Sequence, residues 1–264
     1  LITPKPFVFH YLGTSNRVQE INLRLSAFLY RNKISRVISI SDSALNHLRK
    51  LVGKNIAIDV IYAGVDTTYY NTNLPKPYSK GDPQLLFIGN LYPHKNVIRL
   101  IESMPDIIKI YPDAHLQIVG DGEDYQKLNH RIKEKKLEDS VELPGSLYGE
   151  ELRLRYSSCD IYVSASKLEI SSLPVLEVLA CGKPVLLSNI PAHRELVEAS
   201  NAGRTFSLIE NSSLHNMIRE IYENRRSFSS EARKFAEKRD WSIACGKLAR
   251  IYDQIINKSN AWGN

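Results

Sequence analysis

Ser164-Ala-Ser-Lys-Leu-Glu169-Ile-Ser-Ser-Leu-Pro174-Val-Leu-Glu177-Val-Leu-Ala-Cys-Gly182-Lys-Pro184 is the stretch on which the reading of this chain turns. The run Asp160 to Ala165 that leads into it is short and rich in strand formers. Pro174 suits the first position of a helix, where its missing N–H removes no hydrogen bond. Gly182 and Pro184 supply the stop. The pattern is strand, loop, helix, with Glu169 in the loop and Glu177 about one turn inside the helix. Free N–H groups and the helix dipole at such an N-terminus attract an anion. Two carboxylates, which only accept hydrogen bonds when ionised, flank that point. The arrangement suits a ligand with a phosphate centre and hydroxyl groups at both ends.

Outward from this stretch, β-rich runs alternate with segments of helical periodicity. Strands are expected at Pro6 to His10, Arg36 to Ile40, Ile56 to Tyr62, Leu85 to Gly89, His115 to Val119, Ser140 to Leu143, Pro184 to Ser188 and Gly203 to Phe206. Helices are expected between them, from Val18 to Tyr30 onward, and three more close the chain. Ser41 or Asp42 is placed to cap the helix that follows, and Asn96 likewise. The alternation implies an α/β protein with a parallel sheet covered on both faces. Gly64 to Asp82 has no periodicity and reads as a linker. The expected division is 1–72, 73–240 and a terminal helix at 241–264.

The composition is that of an ordinary globular protein, with 43% hydrophobic and 24% charged residues among 264. No run of apolar residues is long enough for a membrane-spanning helix. Cys159, Cys181 and Cys245 are scattered, which fits reduced thiols in a cytoplasmic protein better than a disulfide framework or metal site. The net charge of +6 could draw the chain to anionic substrates or membrane headgroups. The basic residues are dispersed, however, and the clusters Lys133-Glu-Lys-Lys136 and Arg225-Arg226 read as solvated faces, so nucleic acid is not an expected partner. His47, His115, His130, His193 and His215 show no ligand spacing and read as surface or structural. There is no nucleophile elbow and no Asp-x-Asp motif, and no metal is expected.

The quoted stretch resembles the Glu-x7-Glu signature of retaining glycosyltransferases of the GT-B fold, in particular family 4. Both glutamates match, as do Leu173, Pro174, Ala180, Gly182, Pro184 and Val185. Ile170, Ser171 and Ser172 depart from the usual Gly-Phe-Gly. Other blocks are similar to the same family. In Gly89-Asn90-Leu-Tyr-Pro-His94-Lys95, Lys95 matches a lysine that holds the donor diphosphate, and it is read so over a solvated surface lysine; Asn90 stands where arginine is common. Gly120-Asp-Gly122 resembles a glycine loop, and Gly145-Ser146-Leu147 resembles the loop against the base. Pro6-Phe-Val-Phe-His10 resembles a strand ending in a histidine that faces the donor, and a plain strand-end histidine is an equal reading of His10.

The resemblance implies a Rossmann-like C-terminal domain and a truncated remnant of a Rossmann-like N-terminal domain, which would need on the order of 100 residues or more. It implies transfer of a sugar, with retention, from a nucleoside diphosphate sugar to a saccharide or lipid-linked hydroxyl, without a further cofactor. Glu169, Lys95 and His10 are the implied catalytic residues. Glu177, Gly89, Asn90, Gly120, Gly145, Ser146, Leu147, Ser171, Ser172 and Leu173 would line the nucleotide-sugar site. A donor-binding module without turnover and a sugar-nucleotide epimerase of the same fold are the alternatives. The expected location is cytoplasmic, with contact at a membrane surface allowed by the basic charge.

Overall fold

Strands buried on both faces are largely apolar, and β4 (Gln84–Ile88) and β5 (His115–Val119) have all five residues of each buried, the polar Gln84, His115 and Gln117 included. The computed structural model describes residues 7–12, 17–30, 33–209 and 213–261. It divides into two units, one running to Gly64 and resuming at Arg239, the other Val65–Lys238. The second unit thus begins inside the stretch that the sequence reads as a linker.

The first unit holds a parallel sheet in the order β1 (Phe7–Tyr11), β2 (Ile34–Ser39), β3 (Ile58–Val60). Helices α1 (Arg17–Tyr30) and α2 (Leu45–Val52) make the two crossovers. Tyr11, Ala27, Ile34, Val37, Leu48 and Val52 form its core. The expected cap by Ser41 or Asp42 is absent. Ser41 Oγ lies 3.1 Å from Ser43 Oγ, and the Asp42 carboxylate accepts from the Tyr62 hydroxyl. The entry to α2 is instead tightened into a 3-10 turn at Asp42–Ala44. Helix α10 (Trp241–Ala261) is capped by Asp240, whose carboxylate accepts from the Ser242 N–H at 2.9 Å.

The second unit is a six-stranded parallel sheet in the order β6-β5-β4-β7-β8-β9. The remaining strands are β6 (Val141–Gly145), β7 (Ile161–Ser164), β8 (Val185–Ser188) and β9 (Gly203–Phe206). Among the described residues seven α-helices surround it: α3 (Ile98–Ile110), α4 (Tyr125–Glu134), α5 (Gly149–Ser158), α6 (Leu173–Ala180), α7 (Pro191–Ser200), α8 (Ser213–Glu223) and α9 (Arg225–Glu237). Leu85 and Phe87 join one core cluster with Ile101, Met104, Ile118 and Val163. Leu86 and Ile88, pointing the other way by strand alternation, are buried as well. Among the described residues no helix is long and apolar enough to cross a membrane.

The winding reverses between β4 and β7. In doubly wound sheets such a reversal opens a crevice at the carboxyl ends of the strands, where ligands bind. The loops on this side are stitched by backbone hydrogen bonds, Gly89 N–H to Val119 O at 3.0 Å, Leu91 N–H to Asp121 O at 2.9 Å and Gly120 N–H to Gly145 O at 2.9 Å. This close approach needs glycine at position 120. A Cβ there would lie 1.9 Å from the Gly89 carbonyl oxygen, on a backbone with φ of +144°. Gly145 has φ of +85° with open space around it. Gly120→Ala is therefore expected to lower unfolding free energy by about 1–3 kcal/mol, and more than Gly145→Ala, which carries only a conformational cost of about 1 kcal/mol. Urea unfolding of the two variants tests this, and an equal loss would mean that the loop stitching has slack.

Candidate active site

The segments leaving β4 and β7 are tied together before either reaches its helix. After β4 the chain runs through Asn90 and Tyr92 into a 3-10 turn, Pro93–Lys95, and then Asn96 with φ of +53°. The Asn96 side-chain amide donates to the Ala165 carbonyl at 3.2 Å, just past the end of β7. The Lys167 N–H donates back to the His94 carbonyl at 2.7 Å. Asn96 is thus not the cap of α3. Its left-handed backbone and committed side chain leave Val97 in the N-cap position without a side-chain acceptor.

This tie brings Lys95 onto Glu169. Lys95 Nζ lies 2.5 Å from Glu169 Oε1, and the two side chains are only 19% and 11% exposed. Ser166 Oγ donates to the same carboxylate oxygen at 2.9 Å. A partly buried pair of this kind is stronger than a surface ion pair, because water screens it less.

Beyond Glu169 the chain passes half-buried Ser171 and Ser172 and enters α6 at Leu173. Ser172 holds the N-cap position in an extended conformation. Pro174 therefore occupies the second helical position, one later than expected, and its absent N–H still falls among the first-turn groups that lack intrahelical partners. The helix stops as expected at Gly182, which has φ of +68°. Its N–H donates to Leu179 O at 2.9 Å and the Lys183 N–H to Val178 O at 3.1 Å, the paired bonds of a Schellman motif.

Glu177 is half-buried on α6 and is flanked by tyrosines that the sequence reading does not include. Tyr156 Oη donates to its carboxylate at 2.5 Å. Tyr70 lies close enough to feel the same carboxylate's charge, and the Tyr70 and Tyr156 rings meet edge to face at 5.6 Å. Burial first, and then the Glu177 charge, push the pKa values of both tyrosines well up, so both remain protonated. Tyr70 lies in the presumed linker and Tyr156 on α5, and no local pattern marks either.

Gly89, Gly120 and Gly145 end β4, β5 and β6 on the same side of the sheet as Lys95 and Glu169. Asn90 and Ser146 are exposed and Leu147 is half-buried in the loops that follow, and Leu173 is 47% exposed. His10 belongs to the first unit, on β1, where its Nε2 lies 2.8 Å from Tyr252 Oη. Among the described residues no group of three or more His, Cys, Asp and Glu is placed to hold a metal ion.

His193 lies deeper. It is 2% exposed on α7, with Nδ1 3.0 Å from the Ser188 carbonyl. That oxygen can only accept, so Nδ1 carries the proton, and Nε2 has no partner among the described residues. Ser188 Oγ in turn donates to the Ser166 carbonyl at 2.5 Å, one step from Glu169. Burial depresses the His193 pKa against the opposing pull of Glu169. A depressed histidine favours folding while neutral. Its contribution is complete above the ordinary imidazole value, about 6.5, and is lost as pH falls below it towards the folded-state pKa. His193→Asn should thus flatten the decline of stability between pH 7 and pH 5, read from urea midpoints. The slope left over reflects groups such as His115, which burial depresses likewise. An unchanged slope would remove His193 from the acid sensitivity.

Known proteins resemble this chain in sequence and in fold. An uncharacterized glycosyltransferase of Methanocaldococcus jannaschii is 26% identical over 224 residues, which is 83% of this chain and 60% of that protein. A GDP-mannose-dependent alpha-mannosyltransferase of Mycolicibacterium smegmatis is 27% identical over 202 residues, 74% of this chain and 51% of that protein. The chain thus spans little more than half the length of these relatives. Among solved structures, Anabaena HepE in complex with UDP and glucose superposes with a TM-score of 0.80 at 22% identity, over 94% of this chain and 72% of that one. That likeness carries the fold, GT-B with its parallel sheets. The sequence profile of glycosyl transferases group 1 matches residues 72–239, nearly the whole second unit and most of the chain, and the protein belongs to that family.

Proposed function

We propose that this chain carries the donor half-site of a retaining glycosyltransferase, which moves a hexosyl group from a nucleoside diphosphate sugar to a hydroxyl of a saccharide or lipid-linked acceptor. The observation that carries this reading is the meeting of Lys95 and Glu169 at the β4–β7 crevice, ahead of the α6 N-terminus and with Glu177 on the same helix. A diphosphate needs fixed positive charge and free N–H groups, and Lys95 and the first turn of α6 offer both. Hydroxyl groups of a sugar and a ribose need acceptors, and the two carboxylates offer those.

In this reading the Lys95–Glu169 pair is the resting state of the site. Donor binding exchanges one partner for another: Lys95 turns to the phosphate oxygens, and Glu169, with the Ser171 and Ser172 N–H groups, takes the sugar hydroxyls. Lys95 then stands where negative charge grows as the bond to the diphosphate breaks, which is electrostatic preorganisation of the leaving group. Glu177, steadied by Tyr156, keeps acceptor capacity for a ribose, since an ionised carboxylate offers about four lone-pair sites. The UDP and glucose bound by HepE and the GDP-mannose dependence of the mycobacterial relative support a nucleotide-sugar donor for this chain.

Exposed Asn90, standing where the resemblance expects arginine, favours a second reading in which the site binds a donor without turning it over. Calorimetric titration with UDP, GDP and ADP separates the outcomes. One nucleotide should bind selectively, and Glu177→Ala should weaken it by about ten- to a hundredfold, the loss of a charge-assisted hydrogen bond. Asn90→Arg should tighten it. Equal affinity in the wild type and Glu177→Ala would sink the assignment of Glu177. Selective binding without transfer to any hydroxyl acceptor by the full-length protein would favour the second reading.

A further inference from the structure

At the opposite edge of the second unit, the amino ends of β7 and β8 border a cavity of about 570 Å³. Among the described residues its cationic lining is Lys76, Lys183, Arg225, Arg226, Arg233 and Lys234, and Asp160 is its sole acid. Serine hydroxyls of α5 and α9 join the wall with Thr72, Cys181 and Gly182, and among the described residues no large apolar side chain takes part. From this geometry we infer that the cavity binds a small multivalent phosphate, as a free ion or a phosphate ester, and that it does so apart from the donor site.

The cations have unequal duties. Arg233 is a fixture: it donates to the carbonyls of Thr67, Tyr70 and Ala180 at 3.2, 3.0 and 2.9 Å and pairs with Glu237 at 2.8 Å. Lys183 is 8% exposed, with its ammonium 2.7 Å from the Cys159 carbonyl. Lys234 pairs with Glu231 at 2.8 Å. Arg225 donates to the Tyr222 carbonyl at 2.8 Å and lies 4.2 Å above the Tyr222 ring. Lys76 and Arg226 make no ion pair among the described residues. Once Glu231, Glu237 and Asp160 are set against the six cations, three positive charges remain around one concavity. The carbonyl end of α6 borders the same space and disfavours an anion, but Arg233 already covers the Ala180 carbonyl.

Like charges gathered without counter-charge repel each other, and a bound anion relieves that repulsion. The cavity is of the size that takes a small molecule. Arginine forks and lysine ammonium groups match phosphate oxygens. A membrane surface is a poorer partner, because lipid-facing sites combine cations with exposed apolar side chains, and none lines this cavity. A nucleoside diphosphate sugar is poorer too, for the one carboxylate among the described lining residues, Asp160, already accepts from the Gln84 N–H at 2.8 Å.

The test is calorimetric titration of inorganic pyrophosphate into the Lys95→Ala chain, where the donor-side cation is gone, with the wild type in parallel. One pyrophosphate should bind to Lys95→Ala. Adding Lys76→Glu and Arg226→Glu, both at exposed positions without ion-pair partners, should weaken it at least about tenfold with an unchanged circular dichroism spectrum. Lys76→Arg with Arg226→Lys should keep it. Lack of binding to Lys95→Ala, or equal affinity after the charge reversals, overturns the inference. So does a Lys76- and Arg226-dependent flotation with phosphatidylserine-containing vesicles that no soluble pyrophosphate competes away, which would assign the surface to a membrane.

Discussion

The parallel pairing of β4 with β7 is the constraint on which the second unit depends. It places β4 between strands that come before and after the turn of the winding, so the loops of two distant parts of the sequence share one crevice. Everything the site needs follows from that adjacency. Lys95 arrives from one loop and Glu169 from the other, and backbone bonds at His94 and Ala165 fix their approach before the side chains meet. The observed register sets Leu85 against Ile161 and Leu86 against Tyr162, all four buried.

Within that frame, α6 concentrates the chemistry of the site. It is eight residues long, yet its first turn faces the crevice, its middle carries Glu177, and its end is closed by Gly182. The tyrosines around Glu177 keep a charged group ordered at an intermediate depth. Full burial would penalise the carboxylate heavily, and full exposure would leave it mobile. The Tyr156 hydroxyl satisfies part of its hydrogen-bonding capacity and leaves the remainder open.

What the sequence reveals and hides has a physical pattern. Local signals read well: the Gly182 stop, the continuous apolar strands and the glycine loops each rest on a backbone requirement that a few neighbouring residues express. Partners brought together by topology do not read. The ion pair of Lys95 with Glu169 spans a separation of 74 residues, and the hold of Tyr156 on Glu177 spans 21. Asn96 and Ser41 show the opposite error. Both have side chains suited to capping, but tertiary partners claimed Asn96 and a local hydroxyl claimed Ser41, and propensity gave way. Arg225 and Arg226 look like a solvated face in one dimension, and only the packing of α9 shows that they border a concavity.

The reversal of winding also bears on how this chain is made. As it leaves the ribosome, β4 can pair with β5, but its other edge has no partner until β7 emerges, after α3, β5, α4, β6 and α5. During that interval a strand apolar from Leu85 to Ile88 presents an open row of N–H and C=O groups, the template on which aggregation starts. Pairings of such long range close slowly, because the entropy of the intervening loop is lost before the contact returns anything. The strand that makes the crevice is thus also the point at which a nascent chain is most exposed to misassembly.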